Sequence, residues 1–506
     1  MTKRLTVAVV LTSVQNPSSG ECRLLEALGQ DARFDLALFT AGDPSAAKLP
    51  LAISGLLAIE RAGLGVLRKT SGFTCEVADP QPLDQISPTP DVIIDFSGLE
   101  VVETFAASAR FGMWRLDAYA NGAGLDAVFQ GKTSTPVSLL RYPGDARSAD
   151  TLARTVYDTK PLATMNALYI QEKSVQLIER ELARLTIDDA CVPHGPAHDS
   201  FVASPVVPGT AALARYLVLT CTGIAGRVWV ALKARLGLRP QMFALRVGSG
   251  SGGNFDPAKT VEIPTEGNHF LADPFLFEND GETFLFFEDY SYETKLGHIG
   301  VGKLTGTEFK LIGPAYTAPH HLSYPFVFRQ GGDIFMIPET YQAGRIEVWR
   351  ATDFPTGWEL YSTALQGVSA VDSVLTEIDG VWWLFTNICR DSFGDFCSEL
   401  HIFRTDGPAM TRVEPHRMNP VVIGSDTARG AGRVFCQDGQ WLRSSQDNSG
   451  GDYGYGLNIM AIEQLDIDHY RERRIRHITP DFAPGLIGCH HFDTAGGQFV
   501  IDVRKS

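Results

Sequence analysis

Five short hairpins built on one template recur through the second half of this 506-residue chain, and they restrict its fold more than any other feature. They are DPFLFENDGETFLFFE (Asp273–Glu288), YPFVFRQGGDIFMIPE (Tyr324–Glu339), DSVLTEIDGVWWLFTN (Asp372–Asn387), AGRVFCQDGQWLRSSQ (Ala431–Gln446) and CHHFDTAGGQFVIDVR (Cys489–Arg504). Their turn glycines, Gly281, Gly332, Gly380, Gly439 and Gly497, lie 51, 48, 59 and 58 residues apart. A period of about fifty residues gives each unit room for four strands, as in a β-propeller blade. Five units predict five blades.

The rest of the chain obeys a different grammar. Leu5–Leu11, Asp35–Phe39, Asp91–Phe96 and Pro136–Arg141 read as strands, and Glu21–Leu28, Glu100–Ala109 and Ala163–Leu185 read as helices. Strands alternating with helices predict an α/β doubly wound, mostly parallel sheet over residues 1–190. Six of seven tryptophans and 22 of 29 phenylalanines lie beyond residue 200, where short aromatic strands replace helical periodicity. The propeller is therefore expected over 241–506, with a helical connector over 191–240. In that connector AALARYLVLTCTGIAGRVWV (Ala211–Val230) carries Arg215, Arg227 and two glycines, which favours an interfacial helix over a spanning one and allows peripheral membrane association through 211–230. GSGSGG (Gly248–Gly253) fits G-x-G-x-x-G, but no helical pattern follows, so a flexible linker is expected.

Composition narrows the function. A net charge of −15 argues against a nucleic-acid partner, which needs a basic footprint. Eight cysteines without a C-x-x-C suit free thiols in a reducing compartment. No small-x-small cleavage site follows the apolar N-terminus, so a cytoplasmic protein is expected.

The hairpin register points to a site. Positions equidistant from a turn are neighbours in an antiparallel pair, so Asp273 meets Glu288, Tyr324 meets Glu339, and Asp372 meets Asn387 at the open ends. In a propeller those ends converge on one face of the central channel. Gln446 with Asp447, and His490 with His491, complete the predicted ring. Carboxylates and amides around a concave site suit hydrogen bonding to sugar hydroxyls, or acid and base work at an anomeric carbon. Tyr290, Tyr324, Tyr453 and Tyr455 could stack on a sugar face. A transition metal is not expected. Adjacent histidines on a strand face opposite ways, so His320–His321 and His490–His491 each offer one ligand, and HGPAH (His194–His198) lacks a helical frame. An oxygen-bound Ca²⁺ in the channel stays open, and no cofactor is required.

ADPFLFENDGETFLFFEDY, GHIGV (Gly297–Val301), HLSYPFVF, MIPET (Met336–Thr340), FPTGWEL (Phe354–Leu360), HRMNPVV (His416–Val422), ARGAGRVF (Ala428–Phe435) and SQDNSGGDYGYGL occur in one order. Over about residues 265–504 this resembles the N-terminal propeller of glucosamine inositolphosphorylceramide transferase, which is similar in turn to the five-bladed fold of family 43 glycoside hydrolases. The resemblance implies Asp273 as base, Asp372 as supporting acid and Glu339 as catalytic acid. Glu288, Tyr324, Asn387, Arg429, Gln446, Asp447 and His490 would bind a carbohydrate or glycolipid. Sugar transfer from a nucleotide-sugar donor, inverting hydrolysis, and glycan binding without catalysis all remain open.

PDVIIDFSG, RFGMWRLDAY, TPVSLLRY and TMNALYIQEKSVQLIERELARL resemble the formyltransferase fold over about residues 3–190. That activity needs an Asn–His–Asp group, and no histidine precedes His194. A degenerate, inactive formyltransferase-like domain is the expectation.

Overall fold

The structure, a computed structural model, describes residues 4–11, 13, 16–40, 49–67, 80–82, 89–99, 104–120, 122–144, 149–192, 209–235, 243–250, 252–265 and 267–505. It divides into two units, Met1–Trp229 with Arg390–Asp395, and Val230–Cys389 with Phe396–Ser506.

In the first unit seven strands form one sheet: β1 Leu5–Leu11, β2 Phe34–Thr40, β3 Gln81–Pro82, β4 Val92–Asp95, β5 Met113–Leu116, β6 Ser134–Tyr142 and β7 Asp150–Asp158. Their order is β3-β2-β1-β4-β5-β6-β7, parallel from β3 to β5 and antiparallel at β6 and β7. LTVAVVL in β1 is almost wholly buried, as a parallel strand covered on both faces should be. Helix Ser19–Gln30 starts at a capping box, with Ser18 accepting from the Glu21 amide while Glu21 accepts from that of Ser18. Beside Gly20, a Cβ would strike the Tyr119 hydroxyl and the Gln171 carbonyl of helix Ala163–Asp188, so these elements pack at backbone distance. On that helix the buried Lys173 lies 2.7 Å from Asp391, in the short segment that clusters with this unit.

Of the helix expected over 100–109, residues 100–103 lie outside the described residues. Its described part holds only a 3-10 turn, Ala106–Ser108. Helices Leu51–Leu67 and Leu125–Phe129 also belong to the unit, as does helix Thr210–Arg235 as far as Trp229.

The second unit is a five-bladed propeller. Blade 1 comprises His269–Asn279, Glu282–Ser291, Leu296–Thr305 and Glu308–Tyr316. Blade 2 comprises Ser323–Gln330, Asp333–Glu339, Ile346–Asp353 and Gly357–Ala364. Blade 3 has Ala370–Ile378, Val381–Ile388, Glu399–Thr405 and Val413–Pro415, with Val422–Ile423 on its third strand. Blade 4 has Gly430–Gln437, Gln440–Asp447, Gly456–Leu465 and Tyr470–Ile478. The first strands of neighbouring blades lie side by side, and those of blades 5 and 1 close the ring.

Blade 5 shows how the ring is locked. Phe492–Ala495 pairs with Gln498–Lys505, whose other edge takes Phe243–Ser249, followed by Val261–Glu262. The chain entering the propeller thus completes its last blade. This corrects the linker expected at 248–253. Gly248 and Ser249 belong to the closing strand, and the amides of Gly252 and Gly253 donate to Thr494 and Gln437. Gly248 leaves room for the Phe499 ring, a packing reason for glycine that composition does not show.

One device recurs on the inner strands. In blades 1 to 3 the ladder slips one position, so that Ala272, Ser323 and Val371 pair with Glu288, Glu339 and Asn387. The residues predicted to pair there, Asp273, Tyr324 and Asp372, are bulged, with φ of 48°, 47° and 53°. Blade 4 has its irregularity between Gly430 and Val434, around Gly432 at φ 131°. A Cβ on Gly432 would collide with the Phe492 carbonyl oxygen. Gly432→Ala should therefore cost about 3 kcal/mol, from backbone strain and overpacking together, read as a lowered denaturant midpoint.

Candidate functional site

The bulges turn Asp273 and Asp372 out of their ladders towards the propeller interior. Asp273 is held by blade 5, its neighbour where the ring closes. Its amide donates to Asp502 Oδ2 at 3.2 Å, and its Oδ1 lies 3.5 Å from His490 Nε2 and 3.6 Å from His491 Nδ1. Asp502, fully buried, also accepts at Oδ1 from the amides of His490 (3.1 Å) and His491 (2.9 Å) and from His490 Nδ1 (2.8 Å). His490 and His491 both approach Asp273, against the expected alternation, because they occupy the break between strands Leu486–Gly488 and Phe492–Ala495.

Across the site Arg429 Nε donates to Asp372 Oδ2 at 2.6 Å, and its guanidinium lies 5.0 Å from the Tyr453 ring. Asn387 fixes that arginine. Its amide donates to Ala428 O (3.1 Å) and its oxygen accepts from the Gly430 amide (2.8 Å), bracketing Arg429 on both sides. Glu288 Oε1 is 3.4 Å from His321 Nε2, and His321 Nδ1 accepts from the Gly297 amide. The imidazole proton therefore sits on Nε2, facing Glu288.

The charges are sorted by environment. Burial pushes the Asp273 carboxyl up, but His491, His490 and Arg429 outweigh it and hold the group below the ordinary carboxylate range. Burial alone would discharge His490, yet Asp502 and Asp273 keep it above the usual histidine value. Glu339 goes the other way. Burial and then the Asp372 charge drive it well above the carboxylate range, Asp273 adding to the shift and Arg429 opposing it. Glu288 is raised by burial and by the Asp273 and Glu339 charges. The site thus sets Asp273, shifted towards its charged form, against two glutamic acids shifted towards their neutral form.

Among the predicted site residues, Asp273, Glu288, Glu339, Asp372, Arg429 and His490 come together. Tyr324 and Asn387 are buried with their polar atoms engaged on backbone, Tyr324 through Gly432 at 2.8 and 3.2 Å. They shape the site wall. Gln446 is buried and accepts from Asn448, while Asp447 pairs with His477 of its own blade at 3.0 Å. Asp502 escaped the template, which compared only positions eight before and seven after each turn glycine. Five after it, three blades carry Phe286, Ile337 and Phe385, and blade 5 carries Asp502. An acid at a core register was the available clue.

Asp273, His490 and Asp502 place one ligand-type atom each within 4.8 Å of one another, among the described residues the group that could hold a metal ion. A protonated imidazole between two carboxylates fills the same role without one. His194 and His198 lie outside the described residues. Below the site, Arg433 donates to both Asp493 oxygens (2.5 and 2.9 Å) and lies over Phe275 and Phe326, filling the interior between three inner strands.

Fold and site together define a five-bladed propeller with a buried cluster of carboxyl, imidazole and guanidinium groups where its inner strands meet. Residues 257–482 match the family described as glucosamine inositolphosphorylceramide transferase 1, N-terminal. Curated relatives include glucosamine inositolphosphorylceramide transferase 1 of Oryza sativa subsp. japonica, 35% identical over 43% of this chain and 30% of the relative. The protein of that name from Arabidopsis thaliana is 33% identical over 46% of this chain and 32% of the relative. The chain spans about a third of the length of the curated relatives it matches. Similar solved structures include Zg3597, a family 117 glycoside hydrolase of Zobellia galactanivorans (11% identity, 53% of this chain and 91% of that one, TM-score 0.35). Another is the GH43_1 enzyme from Xanthomonas citri complexed with xylotriose (10% identity, 48% and 88%, TM-score 0.35).

Proposed function

We propose that the propeller acts on a glycosidic linkage of a glycan or glycolipid, with Asp273 as base and Glu339 as acid. One observation carries this reading: within a single cluster, Asp273 is driven down and Glu339 up. Two carboxyls whose surroundings push them apart are the usual makings of an acid and a base. Asp372, tied to Arg429, supplies the charge that keeps the Glu339 proton in place. The base would activate either water or an acceptor hydroxyl. In the second case the donor is a nucleotide sugar, and the curated relatives' name points to an inositolphosphorylceramide acceptor.

A binding role without catalysis has one observation in its favour. Glu288 and Glu339 are both shifted towards the protonated form, in which a carboxyl can donate to and accept from sugar hydroxyls. For the first unit we keep the formyltransferase-like frame without formyl transfer, since residues 1–190 contain no histidine.

The test is turnover of aryl glycosides, and of nucleotide sugars with lipid acceptors, by wild type, Asp273→Asn and Glu339→Gln. Asp273→Asn on every substrate, and Glu339→Gln on those whose leaving group needs a proton, should lower the rate by about 10²- to 10⁴-fold while the fold persists. Glycan binding with no wild-type turnover across both panels would leave only the binding role.

A further inference from the structure

Helix Thr210–Arg235 is 26 residues long, about 39 Å at 1.5 Å per residue. One end is anchored in the first unit. Tyr216 is buried, stacks on Phe129 with centroids 4.8 Å apart, and accepts at its hydroxyl from the Ala163 amide. Beyond that anchor the helix displays apolar side chains to solvent. Val218 and Val228 are each 62% exposed, and Leu217, Leu232 and Cys221 are exposed too.

Their spacing is not random. At 100° per residue, Leu217, Cys221, Val228 and Leu232 fall within about 60° of one another, with Val218 at the flank. Trp229, more than half exposed, stands beside that flank. Such a stripe on a soluble surface needs an occupant.

Charge identifies which. The 26 residues contain Arg215, Arg227, Lys233 and Arg235 and no acid. In a chain with 59 acidic residues in 506, about three would be expected in a segment of that length. Four cations per helix would repel in a symmetric contact with a second copy, but suit an anionic lipid surface. Among the described residues no helix is long and apolar enough to cross a membrane. We propose that this helix lies in the plane of an anionic lipid surface, its Leu217–Leu232 stripe in the headgroup boundary.

Vesicle flotation of the full chain tests this, and it needs no sugar substrate, so its outcome is independent of the glycosidic chemistry. Wild type should float with vesicles of phosphatidylcholine and phosphatidylserine, much less with phosphatidylcholine alone, and less in high salt. Val218→Glu combined with Val228→Glu should cut the bound fraction about tenfold, with an unchanged thermal melt because both side chains face solvent. Failure of the wild type to float, or equal flotation of the variant, overturns the proposal. So does concentration-dependent self-association that the variant abolishes, since a second copy would then be the occupant.

Discussion

Asp502→Ala should lower the stability of the protein by about 3–5 kcal/mol, the cost of removing one partner of a buried charge pair. Asp502 serves four donors: the amides of Asp273, His490 and His491, and the His490 ring. With alanine there, three buried amides lose their acceptor and the His490 imidazolium loses its counterion. Asp502→Asn separates much of the two contributions, because its one amide oxygen can still serve the three donors at Oδ1, while the charge and the acceptor for the Asp273 amide are lost. The sign with pH follows from His490, whose folded value is raised. Its contribution is fully present below the ordinary histidine range, about pH 6.5, and is lost as pH rises through the raised folded value. Denaturant midpoints taken across that range should show this decline in wild type and a smaller one in Asp502→Asn, where Asp273 alone still faces His490. An Asp502→Ala protein within about 1 kcal/mol of wild type would show that the aspartate does not hold the bulge.

What could be read from sequence was set by chain distance. The turn glycines and their period gave five blades, because a hairpin is local and its register is counted from its own turn. The same counting put Asp273 opposite Glu288 and Asp372 opposite Asn387, one position off the observed ladder. A bulge adds a residue without altering the apolar alternation on either side, so pattern alone does not show it. The convergence of the carboxyls survived the error, since the bulge turned Asp273 and Asp372 inward. The lock of the ring was not legible. Phe243–Ser249 pairs with Gln498–Lys505, some 250 positions away, and its glycines read as a linker. Asp502 was missed for a different reason: it stands two positions inside the open end of its own hairpin, where it meets His490 and His491, and its third partner, Asp273, comes from blade 1.

Activity on a glycoside with a poor leaving group should follow a bell-shaped pH profile, with limbs unusually far apart for two carboxyls. The acid limb marks protonation of Asp273. Because that group is held below its ordinary range, about 3.9, base function persists to lower pH than usual. The alkaline limb marks ionisation of Glu339, raised well above its ordinary range of about 4.3, so acid function persists upward. A leaving group that departs unprotonated separates the two roles. On an activated aryl glycoside Glu339→Gln should recover most of its rate and lose the alkaline limb, because no proton need be delivered. Asp273→Asn should stay inactive on both substrates, because water or an acceptor hydroxyl still needs a base. Equal loss of both variants on the activated substrate would mean that Glu339 does not deliver the leaving-group proton. Glu288, raised in the same site by burial and by the Asp273 and Glu339 charges, would then be the next acid to substitute. Glu288→Gln would inherit the same test: recovery on the activated substrate alone marks the proton donor, and loss on both marks a residue that holds the site together.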